Sequence, residues 1–308
     1  MLGGMRLIDV RAWLSRRPEA PFAAAPGRVP ADPADGAAAR AFAVPRGASA
    51  APFPHARRAL LHRLWGEGFV GPGGSEEVLR LATPLGLSAA SSLLLLGCGA
   101  GGPARCVATL FGAWVAGYET DPDLAAEAVA VCAHAGLGKR VRIETFPPGA
   151  PDFPPHSAHH VLALDPFHHA SAPALFDAVL RALRPGGQVT MLATVAGAGF
   201  DPAGAEEAAW HALSAMPPAL PTVEAVTRAL ADRRFDVRVT EDLSHAHLHQ
   251  IVQGWRVLVR GMSERGEKPA PAEAAAIVRE AEAWLRRARL VRTGRLCWVR
   301  WHAIGRPG

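Results

Sequence analysis

A chain of 308 residues with 49% hydrophobic side chains is long enough for one large domain or two modest ones, and it can bury a substantial core. Its formal charge of +5 is carried almost wholly by arginine, with Lys139 and Lys268 as the lysines, and no basic run is interleaved with aromatics, so nucleic acid is not an expected partner. The N-terminus lacks a secretory pattern, no uncharged apolar stretch reaches eighteen residues, and Cys98, Cys106, Cys132 and Cys297 form neither a CxxC pair nor a metal spacing; a cytoplasmic protein with free thiols and no transmembrane segment is expected.

Residues 19–54 are rich in Ala and Pro without apolar periodicity, which makes 1–55 a flexible or loosely packed segment ahead of a domain over 56–308. From there helices over 56–66 and 75–86 precede the strand SLLLL (92–96), the glycine turn GCGAGG (97–102) and a helix to about 111. AWVAGYE (113–119) is a second strand, followed by a helix over 122–136. RVRIET (140–145) and HVLAL (160–164) are the third and fourth strands. A helix over 174–184 stops at Pro185-Gly186-Gly187, and QVTMLATV (188–195) is the fifth strand. This alternation predicts an α/β fold with a Rossmann-like, doubly wound, mostly parallel sheet, its core at 88–195. Residues 196–308 supply a helix over 222–234, a strand over 235–242, two longer helices and a closing strand over 295–304, which complete the sheet and cap the site.

The glycine turn lets backbone approach a ligand, and the helix start behind it points N–H groups at polar or anionic atoms, so Gly97, Gly99 and Gly101 are candidate binding positions together with Cys98. About twenty residues on, Glu119 ends the second strand, where a carboxylate can accept from two ribose hydroxyls; Thr120 follows it. With Asp121 and Asp123 close by, a solvated acidic turn is the plain alternative. Nicotinamide cofactors use the same geometry, but their fingerprint is G-x-G-x-x-G and this turn reads GCGAGGPA.

LLLLGCGAGG, GYETDPD and LRPGGQVTML together resemble the motifs of class I S-adenosylmethionine-dependent methyltransferases. LWGEGFVGPGG (64–74) is similar to the segment ahead of the cofactor loop in phosphoethanolamine N-methyltransferases, and the likeness continues over nearly everything after residue 55. The resemblance implies S-adenosyl-L-methionine as cofactor, with Val70, Gly71 and Leu164 joining the glycine turn and Glu119 in holding it. It also implies Asp165 and, four residues on, His169 as a catalytic pair in which the imidazole takes the acceptor's proton; a register shift of one would make His168 the base. The implied function is methyl transfer to a small polar or lipid-related acceptor, an anionic one being among the candidates.

Several positions depart from that pattern. Leu95 stands where the first strand carries an acid, and Pro147 where one follows the third strand, Asp152 being the nearest carboxylate. Thr194 and Val195 replace an Asp-Tyr pair, and Tyr118 is the one tyrosine of the chain, so the phosphobase substrate is not carried over. Arg286, Arg289 and Arg295 are candidates for an anion instead. His245 and His249 share a helix face while His247 points elsewhere, and no metal site is expected. A non-catalytic relative and a nicotinamide-dependent oxidoreductase are the rival readings.

Overall fold

The computed structural model describes residues 55–214, 216–217 and 219–306, so nearly all of the expected loose N-terminal segment lies outside the described residues. One sheet contains seven strands: β1 (Ser92–Leu96), β2 (Trp114–Glu119), β3 (Val141–Thr145), β4 (Ala158–Leu164), β5 (Leu183–Ala196), β6 (Phe235–Asp242) and β7 (Leu296–Gly305). Their spatial order is β3-β2-β1-β4-β5-β7-β6. The first five neighbours pair in parallel, and β7 runs antiparallel between β5 and β6. The order reverses between β1 and β4, and the crevice outside the C-terminal ends of these two strands is where such sheets bind ligands.

The helices are α1 (His55–Trp65), α2 (Gly74–Ala82), α3 (Gly102–Phe111), α4 (Pro122–His134), α5 (Ala172–Ala182), α6 (Ala205–Ser214), α7 (Val223–Asp232), α8 (Ser244–Glu264) and α9 (Pro271–Arg292). Period-two alternation in β1 sends its leucines to both layers. Leu93 and Leu95 join a cluster with residues of α1, α2, α3, α8 and α9. Leu94 and Leu96 join another with residues of α5 and α7. Leu95 is fully buried, so the position where an acid was expected is part of the core. Among the described residues no helix is long and apolar enough to cross a membrane.

Two boundaries differ from the sequence reading. The fifth strand begins at Leu183, not at 188, and the preceding helix stops at Ala182. Pro185 disfavours helical backbone at Arg184. The chain turns extended early, Leu183 pairs with Ala158, and the ladder shifts register before His160 meets Gln188. Helix α6 was not anticipated; it is fixed by buried Trp210 and by buried Glu207, which accepts from Arg295 at 3.2 Å.

Candidate active site

The glycine turn leaves β1 at the switch point. Gly97, Gly99 and Gly101 have φ of 73°, 54° and 94°, a region that suits residues without Cβ. A Cβ on Gly97 would also collide with the Leu164 carbonyl oxygen, and one on Gly101 would lie 2.7 Å from the Ala128 backbone. The turn is thus pressed against the end of β4 on one side and α4 on the other. Val70 rests against Gly99, 3.0 Å from the position a Cβ would take, while Gly71 faces open space on that side.

Five of the turn's donors, those of Gly97, Cys98, Gly99, Gly101 and Gly102, are used within the protein. Gly97 and Cys98 donate to the Tyr118 carbonyl, Gly101 to Cys98, and Gly102 to Gly68 at 2.9 Å. Gly68, in the strap before α2, supplies the carbonyl that takes Gly102 N–H, so at these positions the turn's contribution is close approach. Cys98 is fully buried, and burial pushes its thiol pKa well up.

Glu119 ends β2 directly beside the turn. Its buried carboxylate accepts from Gly99 N–H at 2.9 Å through Oε2 and from Thr120 N–H at 2.8 Å through Oε1. The neighbouring acids have other tasks. Asp121 caps α4 by accepting from the N–H groups of Asp123 and Leu124, a contribution of about 1 kcal/mol. Asp123 meets Arg58 at 3.3 Å. Asp152, the carboxylate nearest the missing acid at Pro147, is exposed and 3.6 Å from Arg181; the group beside the site after β3 is Phe146, whose ring lies 6.0 Å from that of His169.

His169 belongs to this same half. Its Nδ1 is 2.8 Å from Thr120 Oγ1 and 3.7 Å from Glu119 Oε1, and its Nε2 lies 3.3 Å from the position of a Gly97 Cβ. The ring is buried, with its edge over the glycine turn.

Asp165 faces the other way. It has a left-handed φ of 45°, which Asp tolerates better than most residues. Its Oδ1 accepts from Thr194 N–H and its Oδ2 from Thr194 Oγ1, both at 2.9 Å. The imidazole that approaches it is His168, with Nε2 3.6 Å from Oδ2. Of the two residues of the expected pair, Asp165 thus has His168 beside it, and His169 has Thr120. The three-residue turn over 166–168 sends the consecutive histidines to opposite sides. Burial holds the His168 pKa down to about 4, against the pull of Asp165 and with help from His169, Arg287 and Arg57.

Behind Asp165 lies a buried polar group that the sequence reading missed. Arg287 on α9 donates from Nη2 to Thr194 Oγ1 at 2.7 Å and from Nε to His247 Nε2 at 2.9 Å. Its guanidinium sits over the rings of Trp298 at 5.0 Å and Trp284 at 5.6 Å. His247 stacks on Trp298 with centroids 4.6 Å apart, and burial with the Arg287 charge drives its pKa well below normal. The three arginines expected to take an anion are committed elsewhere: Arg286 to Glu282, Arg289 to Glu206 and Arg295 to Glu207. Arg287 was legible in one respect, since it falls on the buried stripe of Ile277, Glu280, Ala281, Ala288 and Val291. His245 and His249 are exposed and His247 is buried; among the described residues no three metal-ligating side chains converge.

Residues 93–187 match a family model described as a methyltransferase domain. Over 130 residues the chain is 28% identical to phosphoethanolamine N-methyltransferase 1 of Zea mays, covering 41% of this chain and 25% of that protein. Among solved structures it superposes on Haemonchus contortus phosphoethanolamine N-methyltransferase 2, in complex with phosphomonomethylethanolamine and S-adenosylhomocysteine. The TM-score is 0.71 at 20% identity, over 82% of this chain and 59% of that one. Geranyl diphosphate C-methyltransferase from Streptomyces coelicolor, in complex with Mg2+, geranyl diphosphate and S-adenosylhomocysteine, superposes with a TM-score of 0.59 at 18% identity, over 75% and 78% of the two chains. The chain therefore spans about a quarter of the maize relative and under two thirds of the nematode one.

Proposed function

We infer that this chain, which carries a methyltransferase domain on the seven-stranded fold of class I methyltransferases, is an enzyme that moves a methyl group from S-adenosylmethionine to a small polar acceptor. The observation that carries the reading is Glu119: a carboxylate at the end of β2, held against the backbone of a glycine turn at the switch point. That donor set suits the nucleoside half of the cofactor, since one carboxylate can serve two ribose hydroxyls while glycines bring backbone close. Thr120, Val70, Gly71, Cys98 and the Leu164 carbonyl border the same place. For the amino-acid half, Leu95 withholds the expected acid, and His169 and Thr120 are the polar side chains beside Gly97.

When bound, the cofactor supplies an electrophilic methyl carbon. The chain's own residues orient the acceptor, which accounts for most of the acceleration in a direct displacement. Asp165, locked by Thr194, stands at the end of β4, one residue past the carbonyl that touches the turn. His168 is partly open with its Nε2 3.6 Å from Asp165 Oδ2, which places it to take a proton from an acceptor at Asp165. His169, sealed against Thr120, borders the cofactor. That the two solved relatives are complexed with phosphate-bearing molecules supports an anionic acceptor here.

Incubating the full chain with isotopically labelled S-adenosylmethionine and a cell extract, followed by mass spectrometry, tests this reading. Label on a small molecule is expected. Absence of any labelled product, together with no cofactor binding, would overturn it.

A further inference from the structure

The polar groups around Gly97 are nearly all committed inside the protein. The N–H groups of Gly97, Cys98, Gly99, Gly101 and Gly102 have partners. So do the carboxylates: Glu119 accepts from Gly99 and Thr120, Asp121 caps α4, and Asp165 is turned to Thr194. Leu95, fully buried, brings hydrocarbon alone. One side-chain nitrogen is left over. His169 Nε2 lies 3.3 Å from the place a Gly97 Cβ would take, while the hydrogen bond of that ring runs through Nδ1, and among the described residues none meets Nε2.

The character of Nε2 is set from the other side of the ring. Nδ1 is 2.8 Å from Thr120 Oγ1 and 3.7 Å from Glu119 Oε1. A lone pair on Nδ1 would face that carboxylate, whereas a proton there is drawn toward it and received by the hydroxyl oxygen. In a neutral imidazole with its proton on Nδ1, Nε2 is an acceptor. Its direction is fixed as well, because the ring is buried and Thr120 is itself held by its N–H bond to Glu119 at 2.8 Å.

We propose that Thr120 is a positioning residue: it holds the His169 proton on Nδ1, and Nε2, an acceptor as a result, takes an N–H of the α-ammonium of S-adenosylmethionine. With the ribose on Glu119 at the end of β2, the amino-acid half crosses the end of β1 toward β4, and its ammonium comes over Gly97. A hydroxyl and an imidazole then supply the acceptor that Leu95 withholds. The inference rests on the methyl-transfer reading and goes beyond it in assigning one end of the cofactor to two residues of this chain.

The test titrates three ligands calorimetrically into the full chain: S-adenosylhomocysteine, its analogue with hydrogen in place of the α-ammonium, and its decarboxylated analogue, which keeps the amine. The wild type is expected to prefer S-adenosylhomocysteine over the deaminated analogue by about tenfold or more, the scale of one hydrogen bond to a charged group. Thr120→Val should shrink that preference to about threefold or less and Thr120→Ser should restore it, since the serine hydroxyl can receive the same proton. The preference over the decarboxylated analogue should be the same in all three proteins, which a general loosening of the site would not give. Nitrogen NMR of the isotope-labelled wild type, with the ring neutral, should find the His169 proton on Nδ1, and this measurement decides if Thr120→Val does not fold. A proton on Nε2, or an ammonium preference that Thr120→Val leaves intact, overturns the proposal while the cofactor reading stands. Failure of all three ligands to bind the wild type overturns both.

Discussion

On the cofactor side, Glu119 and Gly99 are 20 residues apart, belong to consecutive β-α units and bond directly to one another. On the acceptor side, Asp165, just past β4, and Thr194 of β5 are 29 residues apart, and Arg287 reaches Thr194 across 93 residues of sequence and His247 across 40. One half centres on a single supersecondary unit, the other depends on docking α8 and α9 onto β7, from which Arg287 reaches Thr194 of β5. Substitutions in the two cap helices can therefore change which acceptor is held while the nucleoside half keeps its geometry. The consecutive residues His168 and His169 mark the border, one facing each half.

The sharpest way to break this division is to remove the two histidines separately. His168→Ala should lower turnover by about 100-fold or more with cofactor affinity unchanged, the usual scale for losing a proton acceptor. His169→Ala should act mainly on cofactor affinity. The opposite pattern in single-turnover and calorimetric measurements would return the catalytic pair to Asp165 and His169.

A comparable effect is expected from Gly97→Ala. The left-handed φ and the collision with Leu164 should cost about 3 kcal/mol in denaturant unfolding and abolish cofactor binding, since the turn can no longer close on β4. Ordinary stability in that variant would mean that the turn and β4 can separate freely.

The smallest effect is a pH dependence. His168 has a folded pKa of about 4 against an ordinary 6.5, so the unfolded chain takes up a proton that the folded chain refuses as pH falls below 6.5. Its contribution to stability is constant above 6.5, declines between 6.5 and 4, and levels off below. Thermal unfolding of His168→Gln should therefore lose less stability than wild type across that window, and parallel curves would show that the ring is not held neutral by burial.

These contrasts explain what was legible in the amino-acid order. SLLLL, the glycine turn and the strand-end acid lie within one β-α-β unit, where alternation and turn chemistry are local signals, and Glu119 could be singled out even among Asp121 and Asp123. The remainder depends on distance. Whether His168 or His169 meets Asp165 is decided by the handedness of a three-residue turn with Asp165 at positive φ, which spacing alone does not reveal. Arg286, Arg289 and Arg295 look as suitable for an anion as Arg287 until packing shows that three of the four face carboxylates and one is enclosed by tryptophans. The early start of β5 was hidden because Pro185-Gly186-Gly187 reads as a loop, although it is accommodated in the ladder by a register shift.

The central claim, that a methyl donor is held on Glu119 beside the glycine turn, is tested most directly by calorimetric titration of S-adenosylmethionine into the full chain and into Glu119→Ala. The account predicts saturable, one-to-one binding to the wild type and affinity weakened at least tenfold in the variant, which loses a buried carboxylate with charge-assisted hydrogen bonds. Absence of binding to the wild type, or equal affinity for both proteins, would contradict it.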